Sequence, residues 1–323
     1  MPASLVERRL HFVVGKGGVG KTTVASALAL AFVRRGKRTL AVDMDAGGRL
    51  AAVLAGASEL GGLLRVQSVD GRAALEEYLG LIIPVKRLLA TIFSSRIYQY
   101  FVAAAPGLKE LMTVGKIFYE ATRTEGGRPA WDAIVVDAPA TGHSLQYLRM
   151  PQAARETFGV GLVQREATRI VELLRDRRTT AVHLVTLAEE MPVAETLEAR
   201  AQLTGALDLP LGHVIVNRVH RGQFDASVIE RVRTAAGRES PDEAALLACV
   251  AERAAEESGW SEINATYLGR LRAGIGDAPL VELPFLFVEE FGRDELERLS
   301  HFLEAGMSAR VEAPVRRRTR SSS

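Results

Sequence analysis

Short runs of apolar residues recur along the chain, separated by longer stretches with helical spacing. The first run is Leu10-His11-Phe12-Val13-Val14, and the alanine- and leucine-rich segment Val24-Ala25-Ser26-Ala27-Leu28-Ala29-Leu30-Ala31-Phe32 reads as a buried helix that stops at Gly36. Further strand-like runs lie at 38–42, 63–70, 131–137, 179–186, 211–218 and 279–283. Helical patterns cover 144–150, 157–178, 192–203, 240–274 and 293–304. This alternation is that of an α/β chain.

Residues 72–123 break the rhythm. They carry helical spacing with few strand signals, and they supply two or three helices where a βαβ unit needs one. An inserted helical subdomain is therefore expected at about 72–124. Its apolar positions, among them Leu88, Leu89, Ile92, Leu111 and Phe118, fit either a packed core or an exposed apolar groove. The rest of 1–307 reads as a single domain, and 308–323 as a polar, basic, disordered tail.

Composition narrows the class. The 323 residues are 47% apolar, ordinary for a chain with a substantial core. Net charge is +2, and the arginine-rich tail accounts for more than all of it, so no broad nucleic-acid-binding face is implied. Cys249 is the only cysteine, which excludes an internal disulfide or a thiolate zinc clip and fits a cytoplasmic protein. The most apolar window, 79–93, contains Pro84, Lys86 and Arg87, too short and too charged for a transmembrane segment.

The candidate chemistry begins at Gly15-Lys16-Gly17-Gly18-Val19-Gly20-Lys21-Thr22-Thr23. Strand, glycine loop and helix follow in the order of a P-loop, and Gly15 to Thr22 fits G-x-x-x-x-G-K-[ST]. Glycines let successive N–H groups turn toward phosphate oxygens, and the helix N-terminus adds positive potential. Lys21 would reach the β- and γ-phosphates of ATP or GTP, and the Thr22 hydroxyl would bind Mg²⁺. Asp137 closes the run Trp131-Asp132-Ala133-Ile134-Val135-Val136 as a metal-holding Walker B aspartate would. Asp45, just past another strand, is placed to hold Mg²⁺ through water, to orient the attacking water, or to cap a helix. Asn217 ends the strand at 211–218, where its amide could read adenine or form a turn.

Several separated motifs resemble one family. Lys16-Gly17-Gly18-Val19-Gly20-Lys21-Thr22-Thr23 resembles the deviant Walker A loop of the MinD/ParA/ArsA/nitrogenase-iron-protein superfamily. Asp137-Ala138-Pro139-Ala140-Thr141-Gly142-His143-Ser144-Leu145 resembles the switch II string of its ArsA branch, which includes arsenite-pump and tail-anchored-protein targeting ATPases. Pro106-Gly107-Leu108-Lys109-Glu110, Val214-Ile215-Val216-Asn217-Arg218, and Leu283-Pro284-Phe285 with Glu289-Glu290-Phe291-Gly292 resemble further blocks of that branch. The resemblance implies a doubly wound, mostly parallel sheet, a helical subdomain and a dimer closing on two ATP molecules. It implies that Lys16 crosses to the partner's nucleotide. It assigns Gly15, Gly17, Gly18, Val19, Gly20, Lys21, Thr22 and Thr23 to phosphate, Thr22, Asp45 and Asp137 to metal and water, and Asn217, Pro284 and Phe285 to adenine.

The departures shape the functional expectation. Asp45-Ala46-Gly47-Gly48-Arg49-Leu50-Ala51-Ala52 lacks the family's switch I proline and has Ala52 where targeting members keep a water-activating aspartate. Slow or partner-dependent turnover is expected. One cysteine argues against an arsenite site built from clustered thiolates. The leading expectation is an ATP-driven switch, a homodimer or a heterodimer with a related ATPase chain, acting on a hydrophobic protein client or a membrane protein. The alternatives are the ATPase subunit of an anion transport system and a nucleotide-binding scaffold.

Overall fold

The computed structural model describes residues 7–44, 47–55, 62–82, 107–222, 224–237 and 240–308. The apolar runs form seven strands: β1 (Leu10–Gly15), β2 (Thr39–Asp43), β3 (Leu64–Ser68), β6 (Ala133–Ala140), β7 (Thr180–Leu187), β8 (Leu211–Val219) and β9 (Leu280–Pro284). They make one sheet in the order β3-β2-β6-β1-β7-β8-β9. Every pairing within it is parallel. The two short strands β4 (Thr124–Glu125) and β5 (Arg128–Pro129) form a separate hairpin, turned by Gly126 and Gly127 at positive φ.

The strands read as nearly unbroken apolar runs because helices cover both faces. One face carries α1 (Lys21–Arg34), α2 (Arg49–Leu54) and α10 (Arg293–Ser308), packed through Leu28, Phe32, Leu50, Leu54, Leu299 and Leu303. The other carries α4 (Leu108–Thr122), α5 (Thr141–Thr157), α6 (Leu162–Arg175), α7 (Glu190–Ala201) and α9 (Pro241–Ile275). Ile117, Leu148, Ile170, Val193 and Leu271 represent them in that layer. Side chains alternate between the layers along β1: Leu10, Phe12 and Val14 point to the second and Val13 to the first. No helix among the described residues is long and apolar enough to cross a membrane.

Several expectations shift in detail. Residues 138–140 continue β6 where a turn was expected, since the strand stays paired with β1 as far as Ala140 beside Gly15. The following helix α5 begins at once and runs through Pro151 to Thr157, longer than the 144–150 pattern, because Leu145, Leu148 and Ala154 bury one side of it. The helix expected at 157–178 starts later, after Gly161 at φ 109°. Helix α8 (Ala226–Ala236) was not foreseen, and it buries only Ile229, too little to mark a periodic pattern.

Of the expected helical insertion, α3 (Gly71–Ile82) and α4 flank residues 83–106, which lie outside the described residues together with Leu88, Leu89 and Ile92. Val114, Ile117 and Ala121 tie α4 into the sheet's own core. The basic tail beyond 308 and Asp45 also lie outside the described residues.

Three histidines cross the sheet on the α1 side. His11, His183 and His213, from β1, β7 and β8, are buried and stacked, with centroids 5.4 and 5.7 Å apart. The backbone N–H of His213 donates to Nδ1 of His183 (3.1 Å), so neutral His183 carries its proton on Nε2. Nε2 then donates to Nδ1 of His11 (3.1 Å), and Nε2 of His11 donates to the Arg8 carbonyl (2.9 Å). The bonds that run from His213 N–H through His183 and His11 to Arg8 are satisfied only when both rings are uncharged, and Nδ1 of buried His213 has no partner among the described residues. Burial, above all, pushes His11 down to about 3, His213 to about 4, and His183 well below the usual imidazole range. Folded pKa values below the unfolded ones mean that stability is complete above about pH 6.5 and declines as pH falls toward those folded values. Urea unfolding should therefore show a loss of about 4 kcal/mol between pH 7.5 and 5.5, about 1.4 kcal/mol for each histidine. A urea midpoint indifferent to pH in that window would contradict the neutral row.

Candidate functional site

All seven strands of the main sheet are parallel, so their C-terminal ends share one edge, and the candidate site is assembled there. Gly15 ends β1 so close to β7 that a Cβ would sit 2.2 Å from the Val185 carbonyl oxygen. The loop then turns through Gly18 and Gly20 at φ 86° and 90°, a region that L side chains avoid. Gly20 caps α1, and Gly17 and Gly18 stay exposed while Val19 is buried beneath the loop. A backbone curled in this way, opening directly onto a 14-residue helix, forms a cradle for phosphate.

The loop's two lysines diverge. Nζ of Lys21 donates to the carbonyl of Lys16 across the inside of the loop (3.0 Å). Burial pushes its ammonium down from the usual range; Asp137 works against that shift, and Arg49 adds to it. Nζ of Lys16 lies on the other side, 2.7 Å from Oε1 of Glu195 on α7. Thr22 and Thr23, in the first turn of α1, are half-buried, and the Thr22 hydroxyl donates to Oδ2 of Asp137 (2.6 Å). A hydroxyl and a carboxylate held together at a phosphate cradle are the donor set Mg²⁺ takes beside a nucleotide, so the residues present fit that ion.

Asn217 sits under the loop. Its Nδ2 donates to the Val19 carbonyl (3.0 Å), and its Oδ1 accepts from the N–H of Arg218 (3.0 Å). A Cβ on Gly20 would come within 2.3 Å of that Nδ2. Pro284 ends β9 opposite Val219 of β8, and the N–H of Phe285 donates to the Val219 carbonyl (3.0 Å). Hydrogen bonds thus join Thr22 to Asp137 and Asn217 to the loop, while Pro284 and Phe285 lie further along the same edge of the sheet.

Three participants were not singled out in the sequence. Asp43 ends β2 in register with Asp137 of β6, and its carboxylate accepts from the N–H of Leu50 in α2 (3.3 Å). The signal was available, since Asp43 closes an apolar run just as Asp137 does. His220 stacks on Phe285 with centroids 4.5 Å apart, and its Nδ1 is bound to Glu257 on α9 (2.6 Å). Glu195 meets Lys16 across 179 positions of sequence, a separation that no local pattern reports.

A phosphate cradle at the first β–α turn of a parallel sheet, backed by an aspartate from the neighbouring strand, defines a nucleotide-binding protein of the P-loop class. The profile of the anion-transporting ATPase family matches residues 8–166. The chain is 33% identical to ATPase BagA of Mycobacterium tuberculosis over 317 residues, covering 88% of this chain and 89% of that protein. It is 29% identical to the arsenical pump-driving ATPase of Escherichia coli over 212 residues, 65% of this chain and 35% of the other. It is 28% identical to ATPase ASNA1 homolog 2 of Paramecium tetraurelia over 148 residues, 43% of each. The chain belongs to the ArsA family of ATPases.

Gly20 and Asn217 are coupled through one contact. Gly20→Ala should destabilise the fold by about 1–2 kcal/mol for the left-handed backbone, plus the clash with the amide. Asn217→Ala removes the clashing atom along with the Val19 hydrogen bond. The double variant should then be more stable than the sum of the two losses. Strict additivity in urea unfolding would refute the contact.

Proposed function

We propose that the protein is a Mg²⁺-dependent ATPase that works as a two-subunit switch, closing on ATP and reopening after hydrolysis to act on a hydrophobic protein client or membrane partner. The observation that carries this reading is the divergence of the two loop lysines. Lys21 serves the cradle of its own chain, whereas Lys16 points out of it toward α7 and is available to a nucleotide held by a second subunit. Thr22 and Asp137 would hold the ion, which would neutralise charge developing on the phosphates. Asp45 would position the attacking water. Asn217, Pro284 and Phe285 would flank the adenine.

An apolar groove of about 290 Å³ between α3, α4 and α6 supports the client side of the proposal. Leu111, Met112, Phe118, Val163 and Ile170 line it. The family's description as anion-transporting, and the pump-driving relative of E. coli, favour a second reading in which the chain powers a transport system. Arsenite itself is a poor match, since Cys249 is exposed and is the only thiol in the sequence.

Sedimentation and turnover test the switch together. With Mg-ATP the protein should shift from monomer to dimer mass and hydrolyse ATP. Lys16→Ala should retain ATP binding, stay monomeric and lose at least about ten-fold in turnover, the scale of one charge-assisted contact. A wild-type protein that remains monomeric at saturating Mg-ATP, with turnover indifferent to Lys16→Ala, would defeat the proposal.

A further inference from the structure

We propose that Glu195 is the positioning residue for Lys16: it holds the lysine within its own subunit, surrenders it when the partner's nucleotide arrives, and so sets how readily the dimer closes. The inference rests on the two-subunit reading above.

The geometry begins with α7. Val193 and Ala199 are buried in the core, which fixes the helix against the sheet and leaves Glu195 on its flank, half-buried. Its carboxylate reaches the Lys16 ammonium at 2.7 Å, with both side chains about one-third exposed, at 36% and 35%. An ion pair so open to water is weak, because solvent screens it and two long side chains must be ordered to make it. It is strong enough to choose where the ammonium rests and weak enough to yield to a polyphosphate, which offers several negative oxygens at once.

Glu195 also lines a cleft of about 590 Å³ between α7 and α5, and Arg149 of α5 lines the same cleft. Helix α5 follows directly on the strand that carries Asp137. Glu195 therefore stands between the loop lysine and the helix downstream of the Walker B aspartate. When Lys16 leaves, the carboxylate, already about one-third exposed at this cleft, is taken up by water, so the exchange strands no buried charge.

A symmetric dimer exchanges both lysines. An exposed pair is worth a factor of about two to five in an equilibrium constant, so removing two should tighten the dimer about four- to 25-fold. The test is the dimer dissociation constant at saturating Mg-ATP, measured by sedimentation, together with ATP affinity at dilutions where the chain is monomeric. Glu195→Gln should tighten the dimer by that factor and leave monomer affinity within about two-fold. Glu195→Asp should return toward wild type, and Glu198→Gln, on the same helix and cleft, should change nothing. Lys16→Ala combined with Glu195→Gln should behave as Lys16→Ala alone.

If Lys16→Ala abolishes the dimer and Glu195→Gln leaves it unchanged or weaker, the role of Glu195 is refuted and the two-subunit reading stands. If Lys16→Ala leaves the dimer intact, or if the wild type never dimerises, the two-subunit reading fails and takes this inference with it.

Discussion

The confinement of β1 governs the rest of the structure. It is buried on both faces and hydrogen-bonded along both edges, to β6 and β7. Such a strand has one free direction, past its C-terminal end. There the approach of β7 to Gly15 excludes any side chain, and the chain must curl through left-handed glycines before it can start a helix. The same curl turns N–H groups outward. Phosphate binding and the packing of the central strand are therefore two results of one restriction. Asp43 and Asp137 reach this edge because β2 and β6 run parallel to β1 and in register with each other.

Much of this was legible along the chain, and the rest divides by range. Gly15 to Thr23 and Asp137 were singled out from neighbours a few positions away; the strand and helix around the loop are found where they were expected, while Asp137 lies inside β6 and does not end it. The strands were found because burial on both faces leaves an unbroken apolar run. Residues 138–140 were misjudged because their pairing with β1 outweighs the turn character of Ala-Pro-Ala. Glu195 escaped notice because its partner is nearly 180 positions distant, and His220 because its ring is placed by α9 and β9 rather than by β8 alone. The amide of Asn217 could be read as an adenine ligand, but its bond to the Val19 carbonyl became visible only once β8 lay beside the loop.

The site combines stiff and loose contacts. Thr22, Asp137 and Asn217 are tied by short hydrogen bonds beneath the loop, where low exposure makes each bond costly to lose. The Lys16–Glu195 pair lies at the rim, where water makes its loss cheap. The bonded floor can fix the geometry of the loop while the rim lysine exchanges partners.

The histidine row bears on this site from below. Pairing between β7 and β8 slips at His183, where Gly212 and His213 together oppose a single residue. There the imidazole replaces a main-chain acceptor, and it fits because a Cβ on Gly212 would lie 2.7 Å from Nδ1. The extra residue changes the parity of β8. Leu211 packs on the same face as Val214 and Val216, whereas unbroken alternation would put it on the opposite face. Without that slip, Asn217 would project away from α1 and could not meet Val19. An acid-sensitive imidazole in the middle of the sheet thus decides, several residues later, which side of β8 supports the phosphate loop.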